Sequence, residues 1–512
     1  MSLPLARLRD WLVPALLWSW LFFHLHYTWS LSEQYNYGWA IPFLAAFLFY
    51  QRWSTKPAPE IRRGAKHAAC ISWLVLLSLL PIRLIEEANP DWRLLSWVFA
   101  LLVVAFSFLT LIRIGGRRWA AHFAFPVCFP LVAVPWLVQF ENIVVHGLMR
   151  TVAYIAVEAA GWIGIAAFQV GNVIQLANGF VGVDEACSGV KTLQASIMVS
   201  LFLGELLSFS AGRRLALLAL GCAWVLTCNV LRATTLVVIA ARDGFPAMER
   251  WHDFVGSAVL VLGMGGLVGA AFLLSRRSES AAGVSGNAVA PSPASNPFGT
   301  VAALLWLALV FGAIELWYRA HERHLVARPA WEAHWPEEHA ARAVPIAETA
   351  AAILRYSDAS SAAWSTADGE QWWGFFARWK PGRAALQLVR SHSPEICLPA
   401  VGRTFRGELA PVTLQTKAAP LTFRVFEFQQ SSQPLFVFVS IEEDKVASAA
   451  TAAPPPAEWS ARGRLLAAWR GQRNLGQRLL EIAVIGLDDF ARAHEALAHS
   501  INQIVQASEP TR

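Results

Sequence analysis

The sequence predicts a polytopic α-helical membrane protein, with about eight core spans, one added span and a C-terminal α+β domain on the periplasmic side. Three observations lead there. Hydrophobic residues make up 55% of the 512 and charged residues only 15%, where a soluble protein carries roughly 25% charged. The apolar excess sits in long blocks within the first 320 residues, and the last 190 read as ordinary soluble sequence. The 24 Trp and 30 Phe suit a bilayer boundary, which favours an apolar ring with a polar N–H.

A spanning helix needs about 20 apolar residues. Such blocks run at 12–29, 36–51, 69–86, 94–112, 120–139, 193–209, 215–240, 254–275 and 299–319. The second is short, and the fifth holds Pro126, Pro130 and Pro135. The first is too long and aromatic for a signal peptide and lacks a small-residue cleavage site. Arg7 and Arg9, the loop 52–66, Arg113 with Arg117 and Arg118, Arg213 with Arg214, and Arg276 with Arg277 set the orientation, since cytoplasmic loops carry the Lys/Arg excess. All of them reach the cytoplasm if the segment 140–190 begins and ends outside. That segment is moderately apolar and is interrupted by His146, Arg150, Glu158 and Gln169. It is expected as a helix lying on or dipping into the outer face. Loops 140–190 and 241–253, and everything after 319, then share the outer side.

This yields a membrane core over 1–277, a small, polar, Pro-containing cytoplasmic linker over 278–298, an added span over 299–319 and a periplasmic domain over 320–512. In that domain QWWGFFARW, LTFRVFEFQQ and PLFVFVSIEE read as strands. Residues 458–474 and 476–506 read as helices from their three- and four-residue apolar spacing.

The net charge of +6 reflects Arg and Lys in short loops, as orientation signals are. No basic face interleaved with aromatics argues for nucleic acid. Six Cys occur without a CxxC pair, so no zinc or redox motif is supported, and no metal or cofactor is implied. Cys70, Cys128, Cys222 and Cys228 lie in apolar blocks, where Cys behaves as a small hydrophobe. Only Cys187 and Cys397 have polar neighbours.

VDEACSGVKTLQAS opens the block at 193. With Asp184 as N-cap, Cys187 falls in the first helical turn, where free N–H groups and the helix dipole favour a thiolate. Lys191, four residues on, adds to this, whereas Asp184 and Glu185 oppose it. Gly189, beside Ser188, leaves room for a substrate chain. In CNVLRATTL, Arg232 lies inside a span, roughly 12 Å below its outer edge at ~1.5 Å per residue. A charge there is costly and points to function, although snorkelling to the interface is the plainer reading. Asn229 shares its face. In MERWHDFVGS, His252 stands at the outer edge of the next span, and Asp253 either orients the imidazole or caps the helix. A cysteine with a histidine base and an arginine for the oxyanion is a constellation for acyl transfer.

ACSG followed by a basic residue, then N-x-L-R inside a later span, then His at the start of the next, resembles the exosortase/archaeosortase family over roughly residues 10–275. The resemblance implies a membrane cysteine transpeptidase with Cys187 as nucleophile, Arg232 as electrostatic partner and His252 as proton-transfer residue. It implies substrates with a C-terminal tail of a Pro-Glu-Pro-like signal, a transmembrane helix and basic residues, transferred to an acceptor. It also implies a bacterial inner-membrane location and a link to exopolysaccharide, with a polysaccharide or lipid acceptor. RSHSPEICLPAVGRTF, residues 390–405, resembles the domain fused to or encoded beside some exosortases. His392, Glu395 and Cys397 there read as an accessory thiol or docking loop, or as a turn held by Pro394 and Pro399. A disulfide between Cys187 and Cys397 would block the nucleophile and is not expected. Two rival readings remain. One is a non-catalytic component of polysaccharide export, and the other is an acyltransferase using its His.

Overall fold

The structure is a computed structural model that describes residues 5–60, 65–171, 173–182, 189–275, 297–346, 348–367, 369–391, 394–400, 403–430, 433–447 and 460–508. Two compact units form. One comprises Met1–Ile82 with Arg93–Phe311, and the other Arg83–Trp92 with Gly312–Arg512.

The first unit is built of helices α1 (Leu5–Leu31), α2 (Ile41–Ser54), α3 (Ala65–Ala88), α4 (Arg93–Gly115), α5 (Arg117–His122), α6 (Ala124–Cys128), α7 (Val138–Trp162), α8 (Val190–Leu206), α9 (Ala211–Asp243), α10 (Phe245–Ser275) and α11 (Pro297–Glu322). Helices α3 and α11 continue into the second unit. Six helices among the described residues are long and apolar enough to cross a membrane: α3, α4, α7, α9, α10 and α11. The protein is thus a multi-pass membrane protein. The short block 36–51 becomes a 3-10 turn over Glu33–Ala40 followed by α2.

The block 120–139 is not one helix. It breaks into α5, α6 and a 3-10 turn over Phe129–Ala133, because each proline removes an N–H and clashes with the preceding turn. Its path nevertheless runs the length of α4. It leaves from the C-terminal end of α4, where Trp119 bonds the Pro57 carbonyl. It arrives at the N-terminal end, where Arg93 and Trp97 donate to the Trp136 and Pro135 carbonyls.

Segment 140–190 holds a helix, as expected, but not over its whole length. Its helix, α7, has the length and composition of a span. Three short strands follow: β1 (Ala167–Val170), β2 (Val173–Leu176) and β3 (Gly179–Gly182), in an antiparallel sheet of order β1-β2-β3. The intervening glycines and the β-branched Val and Ile residues favour turns and strands over a continued helix. The sheet folds back on α7, with Gln169 donating to the Arg150 carbonyl at 3.0 Å.

Buried carboxylates pin this unit at two places. Glu141 accepts from Tyr35 at 2.9 Å and pairs with Arg93. Glu205 pairs with Arg52 and, at 2.7 Å, with Arg214. Each is a buried charge with cationic partners, as burial demands. Helix α9 packs antiparallel to both α8 and α10 through small residues. A Cβ on Gly221 would stand 2.6 Å from Leu267 and 2.8 Å from the Ser200 hydroxyl.

The second unit is an α+β domain. Its seven-stranded antiparallel sheet has the order β6-β7-β8-β13-β11-β10-β9. The strands are β6 (Arg342–Ala343), β7 (Asp358–Ser365), β8 (Gln371–Trp379), β9 (Thr404–Gln415), β10 (Pro420–Gln430), β11 (Gln433–Glu443) and β13 (Gln477–Ile485). Short strands β4 (Leu325–Ala327) and β12 (Lys445–Ala447) pair with each other, as do β5 (Trp331–Ala333) and β14 (Val505–Ala507). Ala493, Leu497, Ile501 and Ile504 of helix α16 (Phe490–Ile504) pack on Phe376, Phe423, Phe438 and Ile482. The three expected strands stand as β8, β10 and β11. The expected helix 476–506 stands only in its second half, as α16: Gln477–Ile485 forms central strand β13, paired with β8 and β11. QRLLEIAVI is apolar on both faces, so its periodicity cannot separate strand from helix, and the two neighbouring strands decide. The expected helix 458–474 is α15 (Ala461–Trp469). The segment 278–296 lies outside the described residues.

Candidate functional site

Helices α9 and α10 form a hairpin about Gly244, whose φ is +86°. Their antiparallel register brings residues far apart in sequence to one depth. Arg232 and His252 meet there, Nη2 to Nε2 at 3.1 Å. The His252 Nδ1 lies 3.0 Å from an Asp253 carboxylate oxygen. A guanidinium only donates, so Nε2 accepts and the proton sits on Nδ1, which donates to Asp253. Asp253 is nearly fully exposed, and its attraction is therefore screened. Its role here is to orient the ring.

Gly256, one turn past His252, belongs to this arrangement although the sequence did not single it out. A Cβ there would stand 3.3 Å from the Arg232 Nη2. Glycine thus gives the guanidinium its room beside α10. The only sequence signal is the four-residue spacing from His252.

Asn229 lies one turn before Arg232 and is 3% exposed. It meets the start of α8. A Cβ on Gly189 would come within 2.6 Å of the Asn229 amide carbon, and Gly189 has φ +80°. Gly189 also caps α8, its carbonyl accepting from the Thr192 hydroxyl at 2.8 Å. Lys191 is turned elsewhere, pairing with Glu33 at 3.2 Å on the exposed surface. Cys187 and Ser188 lie outside the described residues, as does the expected N-cap Asp184. The structure therefore brings together Arg232, His252, Asp253 and Gly256, with Asn229 and Gly189 one turn away.

Cys228 lines a small apolar cavity with Thr192, Val225 and Gly263, between α8, α9 and α10. It is buried, in keeping with a packing role.

In the second unit the described residues of the motif 390–405 contribute to α13 (Arg383–Ser391), α14 (Pro394–Ala400) and the start of β9, with Pro394 at the first helical position, where it is tolerated. Cys397 is exposed on α14, and His392 lies outside the described residues. Glu395 approaches Arg424 at 3.8 Å, and Arg424 holds Glu408 through two bonds of 2.8 and 3.1 Å. Burial would lower the Arg424 guanidinium, but the bonds to Glu408 and the charges of Glu408 and Glu395 raise it. Glu395 thus belongs to an ion-pair group.

The fold and this site define a multi-pass helical membrane protein with an arginine–histidine pair on a helical hairpin and a glycine-flanked cysteine motif before it. Residues 29–269 match the family described as transmembrane exosortase, and that region of the chain is similar to this family. The family carries a membrane transpeptidase or protease role in general, of the cysteine type. No curated protein and no solved structure matches the chain.

Proposed function

We propose that the protein is a membrane-embedded cysteine transpeptidase that removes the C-terminal sorting tail of exported proteins and transfers them to an acceptor. The carrying observation is the contact of Arg232 with His252 across the α9–α10 hairpin. Its support is Gly189, two residues beyond Cys187 in the chain, seated on Asn229.

In this reading the Cys187 sulfur attacks the scissile carbonyl and forms a tetrahedral oxyanion. Arg232 transfers its hydrogen bond from His252 to that oxyanion, which frees Nε2 to take the thiol proton. His252 returns the proton to the leaving amine as the carbon–nitrogen bond breaks, and a thioester remains. An acceptor nucleophile then attacks the thioester carbonyl, His252 takes its proton, and the Cys187 sulfur leaves and receives that proton back. Asp253 keeps the ring in the tautomer that presents Nε2. The substrates would carry a Pro-Glu-Pro-like signal, a tail helix and basic residues, and the acceptor would be a polysaccharide or lipid. The site and the C-terminal domain would face the periplasm from the inner membrane. Cys397, exposed on α14, is not assigned the nucleophile.

The test is tail processing of a co-expressed substrate in membranes. Cys187→Ala should abolish it, while Cys397→Ala should leave it within about twofold, as a surface change does. Processing that survives Cys187→Ala, or is lost only with Cys397→Ala, sinks the cysteine assignment.

A further inference from the structure

The sheet β1-β2-β3 has a place in this reading that the three site residues do not explain. Strand β3 ends at Gly182, five residues before Cys187 in the chain. It pairs with β2 along one side, Gly182 opposite Val173 and Gly179 opposite Leu176. Among the described residues no strand pairs with its other side, and β3 is the edge of the sheet. The opposite edge strand, β1, is tied to α7 through Gln169.

Open edges attract extended peptides, and proteins commonly blunt them with very short strands, Lys, Pro, bulges or inward charges. Strand β3 is short, at four residues, but its sequence, Gly-Phe-Val-Gly, carries no Lys, Pro or inward charge. One face of the sheet is seated, with Ile174 fully buried and Val181 7% exposed. The other presents Phe168 and Phe180, 68% and 61% exposed, which flank Gln175 through the pairings 168 to 175 and 175 to 180.

The sheet is also fixed to the helices that hold the site. Asn178 donates to the Ala240 carbonyl of α9 at 2.8 Å. At Gly179, φ +147°, a Cβ would meet the Phe245 ring of α10 at 2.7 Å. The same hairpin that carries Arg232 and His252 therefore clamps the tip of β3.

We propose that the open edge of β3 binds the substrate as an extended strand, adding a fourth strand to the sheet. The ligand class is an unfolded peptide segment on the N-terminal side of a membrane helix. Its main-chain groups pair with β3, and alternate side chains lie against Phe180. A rigid edge leading into the cysteine segment would hold the peptide in register, which is what cleavage at one bond requires. This inference rests on the transpeptidase reading for the identity of the peptide.

The experiment uses the full-length Cys187→Ala protein in native membranes with a co-expressed tail substrate, so binding is read without cleavage. A photo-reactive residue is walked through eight successive substrate positions before the tail helix, and the captured enzyme residues are mapped. Strand addition predicts capture at residues 179–182 that alternates with period two along the substrate. Absent capture at β3, capture without that alternation, or capture of a second enzyme copy by β3 overturns the proposal. The two readings fail separately. Loss of the cysteine assignment leaves the crosslink pattern intact, and an absent pattern leaves the effect of Cys187→Ala on processing unchanged.

Discussion

At φ +80°, Gly189 occupies backbone space that an L side chain enters at a cost of about 1–2 kcal/mol, and its missing Cβ is where the Asn229 amide packs. Both demands fall on one residue, and they separate experimentally. Gly189→Ala should lower tail processing by at least about tenfold, which corresponds to ~1.4 kcal/mol. Adding Asn229→Ala removes the steric part and should recover only that fraction, since the backbone demand persists. Processing unchanged in Gly189→Ala would show that this contact does not position the cysteine segment. The sequence already pointed to Arg232, His252, Asn229 and Gly189, because a charge inside a span and a glycine beside a cysteine are conspicuous in type. It could not reveal Gly256, whose role arises only when two helices face each other. Nor could it tell that Lys191 turns to Glu33, since position on a helix face does not say which neighbour a flexible ammonium reaches.

Long apolar helices were legible because twenty consecutive apolar residues have few alternatives. Elements whose apolar period is ambiguous were not. Strand β13 reads as a helix until β8 and β11 flank it, and the proline-broken path of 117–137 follows α4 without being one helix. Packing between helices was equally hidden, since it depends on register. Gly221 shows this: α8, α9 and α10 meet where it has no side chain, with Ser200 on one side and Leu267 on the other. Gly221→Val should force the helices apart and destabilise the protein by about 1–3 kcal/mol, the usual cost of overpacking. The midpoint of thermal unfolding in detergent checks it. Gly212 has open space around it, so Gly212→Ala should leave that midpoint unchanged. Equal midpoints for Gly221→Val and the parent protein would mean that the contact is not close in solution.

At the scale of the whole chain, the order of residues and the order of packing part company. Segment Arg83–Trp92 lies within the region that matches the exosortase family, yet it packs with Gly312–Arg512. Charge explains why. Glu87 pairs with Arg383 at 3.1 Å and Arg473 at 3.4 Å, and Asp91 pairs with Arg464 at 2.9 Å. Arg473 also reaches Glu315 at 2.7 Å and Glu322 at 2.8 Å on α11. Burial would lower its guanidinium, but these carboxylates hold it above its ordinary value. The Asn89 amide adds a bond to the Arg464 carbonyl at 2.9 Å. No pattern within ten residues could announce this, because the partners lie roughly 300 to 390 positions on. Mostly buried ion pairs contribute little over apolar packing, but breaking one side leaves a buried charge and costs about 3 kcal/mol or more. Glu87→Arg should therefore loosen the second unit, read as faster proteolysis after residue 320 in membranes. Adding Arg383→Glu restores one pair of opposite sign and should recover part of the protection, a coupling that two independent surface changes would lack. If Glu87→Arg is as protease-resistant as the parent, or if Arg383→Glu worsens it additively, the acidic segment does not hold the C-terminal domain.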